Sequence, residues 1–200
     1  MKIAYMLTLI AGVVAAEPMV FLIRHGEKPA DDDEPGLSIK GQQRAQCLRN
    51  VFGAGSNYHV GHIMAQAYKP GMHKPAAQPW RMYTAWLAVL TGNARAHLDG
   101  SRKRPFDTVS PLAQDLGLEV DTSCDRNDSK CVKKVVKNYK GAGNILICWE
   151  HKALRDIAEA LGADDVKDYP KKRFDEIWID PYPYSEITDI VSENCPGLDN

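Results

Sequence analysis

The sequence predicts a three-layer α/β sandwich, with helices on both faces of a mostly parallel central sheet. Two observations predict it. Strand-length apolar runs alternate along the chain with stretches whose apolar residues recur at helical spacing. The first such run, Met19 to Ile23, is apolar throughout and breaks abruptly into polar Arg24-His25-Gly26, as a buried strand entering a loop does.

The elements follow in order. After the Met19 to Ile23 strand, Leu37-Ser38 opens a helix with a capping serine; Ala45, Leu48, Val51 and Phe52 form its apolar stripe and Gly53 ends it. Val60 to Ala65 reads as the second strand. Asp107 to Leu116 is a helix stopped by Gly117, and Leu118 to Asp121 is a short strand. Ser129 caps a further helix to Tyr139, with Val132, Val135 and Val136 on its apolar face. Ile145 to Trp149 is a central strand that delivers Glu150-His151 to its carboxyl end, and Ala153, Leu154, Ile157, Ala158 and Leu161 form the next helix, stopped at Gly162. Phe174 to Ile179 is the last strand, with Ile187 to Val191 as its candidate partner. Sheets of this kind place their chemistry beyond the carboxyl ends of the strands, where His25 and His151 both fall.

Composition sets the class. The chain has 200 residues, 44% of them hydrophobic, with 25 basic residues against 26 acidic ones, so it offers no whole-molecule electrostatic case for a nucleic-acid partner. Lys2, the apolar run Ile3 to Val14 and the small residues Val14-Ala15-Ala16 predict a cleaved signal peptide, Met1 to Ala16, and a secreted product. That run is too short to span a bilayer and no longer one follows, so no membrane anchor is predicted; residues 17–200 form one domain. Secretion makes disulfides the expected state of the five cysteines. Cys124 and Cys131 bracket a polar loop that a bridge can close. Cys148, inside an apolar run, reads as a small hydrophobe, which leaves Cys47 and Cys195 as the weaker candidate pair. Asn127-Asp128-Ser129 is a glycosylation sequon, and Asp31-Asp32-Asp33-Glu34 reads as a solvated loop rather than a metal site.

The chemistry centres on His25. An imidazole that attacks phosphorus must be neutral, held in place and surrounded by cations that take up charge on the phosphoryl oxygens. Arg24 beside it disfavours the imidazolium and offers a fork of donors to phosphate. Arg104 sits just before a helix start, where backbone amides also favour anions, and His151 is a further donor.

These residues resemble the histidine phosphatase superfamily, which includes phosphoglycerate mutases and acid phosphatases. Arg24-His25-Gly26 matches its Arg-His-Gly signature, whose histidine becomes phosphohistidine during turnover. Leu37-Ser38-Ile39-Lys40-Gly41 is similar to its helix-opening pattern, Arg104 and Thr108 to its second arginine and the threonine four residues on, and His151 to its second histidine after an apolar strand. The order of these matches makes the resemblance specific. It implies a phosphoglycerate mutase-like fold, His25 as nucleophile, and Arg24, Arg104 and His151 as the phosphate-binding set. It implies no cofactor and no metal; the histidines lack zinc-ligand spacing. The family places its proton-donating carboxylate variously. Glu150 is the preferred candidate here, although adjacent strand residues face opposite ways, and Glu27 and Asp125 are alternatives.

Residues Gly71 to Leu98 depart from the family pattern as an insertion of 28 residues. Trp80, Tyr83, Trp86, Leu87 and Leu90 fall at helical spacing, so one reading is an amphipathic lid over the pocket, and a second is a surface insertion. A third is a translated intron, since its removal joins Tyr68-Lys69-Pro70 to Asp99-Gly100-Ser101 in a compact loop. Hydrolysis of a small phosphomonoester is the leading expectation, because little chain remains to enclose an intermediate as a mutase must. A phosphoglycerate mutase-like phosphotransferase and an inactive secreted phospholigand-binding protein are the alternatives.

Overall fold

The structure, a computed structural model, describes residues 17–30, 36–69 and 102–199. The segment Met1 to Ala16 expected as a signal peptide, the acidic run 31–34 and the segment Gly71 to Leu98 expected as an insertion lie outside the described residues.

Six strands form one sheet: β1 (Val20–Arg24), β2 (Val60–Ala65), β3 (Val120–Asp121), β4 (Asn144–Trp149), β5 (Glu176–Asp180) and β6 (Asp189–Ser192), in the order β3-β2-β4-β1-β5-β6. The first four are mutually parallel; β5 runs antiparallel to β1 and pairs antiparallel with β6, which closes the sheet as the sequence suggested. Among the described residues four helices cover it: α1 (Ile39–Val51), α2 (Arg104–Leu116), α3 (Ser129–Asn138) and α4 (His151–Leu161).

Strand alternation divides the core in two. Val20 and Leu22 of β1 pack on one face with Ile145 and Ile147 of β4, under Val132 and Val136 of α3 and Leu154, Ile157 and Leu161 of α4. Phe21 and Ile23 point the other way with Leu146 and Cys148, under Leu48 and Phe52 at the end of α1 and Val109 and Leu112 of α2. The three layers therefore stand as predicted. No described helix is long and apolar enough to cross a membrane.

Several boundaries differ from expectation, three of them for identifiable reasons. Helix α2 begins at Arg104, not Asp107, because Pro105 fits the first turn of a helix, where no amide hydrogen bond is lost. Helix α3 is capped by Asp128 rather than Ser129, its carboxylate accepting from the Cys131 amide at 2.9 Å. The last strand pairs only from Glu176, leaving Phe174 before it for another use. Both predicted disulfides are present, Cys47–Cys195 and Cys124–Cys131, and Cys148 is a buried free thiol.

Candidate active site

The parallel strands β1, β4 and β2 all end at the same edge, and the register Arg24↔Trp149 sets the residues that follow side by side. The His25 amide donates to the Trp149 carbonyl at 3.1 Å, extending the ladder one step into the loop. Here lies a pocket of about 270 Å³, lined in part by Arg24, His25, Arg104, Glu150 and His151. The main candidates from the sequence thus converge on one cavity.

The loop carrying His25 is pressed against the start of α1. An added Cβ on Gly26 would meet the Gly41 carbonyl oxygen at 2.9 Å, and one on Gly41 would meet the Glu27 carbonyl oxygen at 2.3 Å. Neither position has room for a side chain. Ser38 fastens the same contact: its amide and hydroxyl both donate to the Glu27 carbonyl, at 2.9 and 3.1 Å, while its hydroxyl accepts from the Gly41 amide. From the other side the Gly26 amide donates to Thr108 Oγ1 at 2.9 Å, and that hydroxyl donates to the Arg104 carbonyl at 2.7 Å. The separated sequence matches at 24–26, 37–41 and 104–108 are therefore one contact network.

His25 is 7% exposed, and its Nδ1 lies 2.7 Å from the Gly26 carbonyl. A carbonyl only accepts, so Nδ1 carries the hydrogen in the neutral ring and Nε2 keeps its lone pair. Burial, opposed in part by that carbonyl and reinforced by Arg24, Arg104 and His151, lowers the imidazole pKa to about 4. Burial outweighs Arg24, which the sequence alone presented as the cause. Arg24 is itself fixed. Its Nη1 donates to the carbonyls of Lys171 and Arg173, at 2.8 and 2.7 Å, and its guanidinium lies 3.6 Å from the centre of the Phe174 ring. Arg24 Nε and His151 Nδ1 are buried with no hydrogen-bond partner among the described residues.

Arg104 and His151 occupy the first positions of α2 and α4, so two helix amino-termini open at the pocket. The Arg104 side chain is oriented by Nε donating to the Gly36 carbonyl at 2.8 Å. Glu150 does turn into the pocket, because the backbone leaves the strand there to begin α4; its carboxylate accepts from Arg126 Nη1 at 2.9 Å. The two other carboxylates considered from the sequence are elsewhere: Glu27 is bound to Arg44, and Asp125 is exposed and absent from the lining.

The sequence reading missed Lys28, Gln66, Arg102, Arg126 and Lys152, which also line the pocket. Gln66 is 3% exposed and links two walls, accepting from the Glu150 amide at 3.2 Å and donating to the Arg102 carbonyl at 3.4 Å. Its position right after β2, at the same sheet edge, was the available signal. Arg102 lines the cavity with Arg104. Asn127 is exposed.

No family model and no curated protein matches the chain. Solved structures do. A protein assigned as the phosphohistidine phosphatase SixA of Agrobacterium tumefaciens aligns at 12% identity with a TM-score of 0.51, over 88% of this chain and 98% of that one. A protein histidine phosphatase SixA complexed with tungstate aligns at 12% identity with a TM-score of 0.46, over 88% and 97%. The first of these shows the fold: a phosphoglycerate mutase-like α/β sandwich.

Proposed function

We propose that this chain is a phosphomonoester hydrolase that works through a phosphohistidine on His25. The observation that carries this reading is the state of His25: a buried neutral imidazole, Nδ1 tied to the Gly26 carbonyl, at the wall of a cavity shared with Arg24, Arg104 and His151. Nε2 attacks phosphorus and the bond to the leaving oxygen breaks. Glu150 is assigned as the acid that gives a proton to that oxygen. Arg24, Arg104, His151 and the two helix amino-termini hold the phosphoryl oxygens while charge redistributes among them. A water deprotonated by the same carboxylate then attacks the phosphohistidine, releasing phosphate and restoring the imidazole. Two disulfides support an oxidising compartment, in keeping with Met1 to Ala16 as a secretion signal, and exposed Asn127 suits a glycan.

Turnover of an aryl phosphate from acidic to neutral pH by the intact protein and by His25→Ala tests the reading. Hydrolysis is expected in the first and loss of at least about 10³-fold in the second, as for removal of a covalent nucleophile. Activity that survives in His25→Ala excludes the phosphohistidine. Phosphate moved between hydroxyls without release points to a mutase, and binding without turnover to a phospholigand-binding protein.

A further inference from the structure

The pocket carries more positive charge than one phosphate requires. Six cationic side chains line it, Arg24, Lys28, Arg102, Arg104, Arg126 and Lys152, against one carboxylate, Glu150, among the described residues. Setting aside Lys28 and Arg104, which have other interactions, and counting neither histidine, the remaining four cations against Glu150 leave a formal surplus of three, while a phosphomonoester dianion brings about two negative charges. The cavity is small, about 270 Å³, at the lower end of ligand pockets.

One of these cations is built into place from outside the phosphate cluster. Arg126 lies in the loop closed by the Cys124–Cys131 disulfide, and its carbonyl accepts from the indole of buried Trp149 at 2.8 Å. Its Nε donates to Asn127 Oδ1 at 3.2 Å and its Nη1 to Glu150 Oε2 at 2.9 Å. A guanidinium held this way is ordered in advance, which suits a carboxylate or a second phosphate that takes the place of Glu150 on it. Lys152, one residue into α4 beyond His151, lines the same cavity.

We propose that the ligand is compact and carries two anionic groups, one over His25 and the second held by Arg126 and Lys152. This rests on the first group binding where the proposed hydrolysis occurs. The second anion competes with Glu150 for Arg126, so its arrival frees the carboxyl to turn toward the leaving oxygen.

Calorimetric titration of the full chain at pH 8 with methylphosphonate and with methylenediphosphonate, neither of which can be hydrolysed, tests the proposal without relying on turnover. The diphosphonate is expected to bind at least about tenfold more tightly. Arg126→Gln and Lys152→Gln, checked for folding by circular dichroism, are each expected to cut that preference at least threefold while changing methylphosphonate affinity less. Equal affinities in the intact protein, or a preference unchanged in both variants, overturn it. The aryl phosphate assay reports separately: diphosphonate preference without hydrolysis sinks the hydrolase reading alone, and hydrolysis without the preference sinks the two-anion proposal alone.

Discussion

Arg44 lays the edge of its guanidinium along the Glu27 carboxylate, with Nε 3.2 and 3.1 Å from its two oxygens and Nη2 2.8 Å from one. The residue two places after His25 is thereby locked to the middle of α1. Nη1 of the same arginine reaches Glu193 at 2.6 Å and Asp199 at 2.9 Å, drawing the C-terminal segment under the site loop. Burial disfavours the Arg44 charge, but these carboxylates more than offset it and hold Arg44 more firmly charged than an isolated guanidinium. Arg44→Met leaves Glu27 and Glu193 buried without their counterion, so unfolding by urea is expected to show a loss of about 3–5 kcal/mol. A loss under about 1 kcal/mol contradicts this account.

Gly41→Ala tests the contact between the His25 loop and α1. The new methyl would sit 2.3 Å from the Glu27 carbonyl oxygen, and backbone cannot yield as a long side chain does. Overpacking of this kind costs about 1–3 kcal/mol. Because the strain falls on the loop that carries the nucleophile, activity toward an aryl phosphate is expected to fall at least about 100-fold in the fraction that remains folded. The control is Gly55→Ala, where an added Cβ meets nothing within 4 Å and neither quantity should change appreciably.

Much of this was legible in the sequence for identifiable reasons. Strand–helix alternation reports which faces are buried, so the layers and the common edge of His25 and His151 could be read directly. The cap at Ser38 and the stop at Gly117 were readable because each depends on a single residue type. Arg126 was not: it reaches the pocket only because the Trp149 indole and the Cys124–Cys131 bridge fold its loop back onto α4's amino-terminus. The carbonyls of Lys171 and Arg173 that position Arg24 were also hidden, since 147 residues or more separate them and any residue type supplies a carbonyl. Glu27 stood open as an alternative acid for a related reason. A carboxylate beside a nucleophile looks like an acid until its buried partner, Arg44, is seen.

The state of His25 sets the acid limb of the activity profile. Its pKa is lowered to about 4, chiefly by burial, so the imidazole is neutral and nucleophilic above that pH and protonates below it. The nucleophile's limb in kcat/KM for an aryl phosphate is therefore expected near pH 4, well under the ordinary histidine value of about 6.5. A limb near 6.5 that is absent from phosphate binding and present in turnover would mean that His25 is not shielded as described.

The two disulfides should contribute unequally. Cys47–Cys195 joins residues 148 apart and Cys124–Cys131 residues 7 apart. Loop-closure entropy then gives about 5 kcal/mol for the first and about 2.5 kcal/mol for the second. Paired Cys→Ser replacements, compared by denaturant midpoint, are expected to keep that order. The short bridge has the sharper functional consequence, because it orders Arg126: its loss is expected to weaken diphosphonate binding more than methylphosphonate binding. Equal weakening of both would detach the bridge from the pocket.

Asp180, at the end of β5, supplies a pH dependence far from His25. It is fully buried opposite Val20, and neither carboxylate oxygen has a hydrogen-bond partner among the described residues. Burial alone raises its pKa from 3.8 to about 7. Between those values the folded chain keeps a proton that the unfolded chain has released, so this contribution is full below about pH 4 and is lost as the pH rises to about 7. His25 acts with the opposite sign, since its lowered pKa makes the unfolded chain the greater proton binder between about 4 and 6.5. The wild-type curve alone therefore does not isolate either group. Comparison with Asp180→Asn does, because the amide keeps the shape and removes only the titration. The variant is expected to gain about 2–4 kcal/mol at pH 8 and nothing at pH 4. An equal gain at both pH values would assign the effect to packing instead of charge.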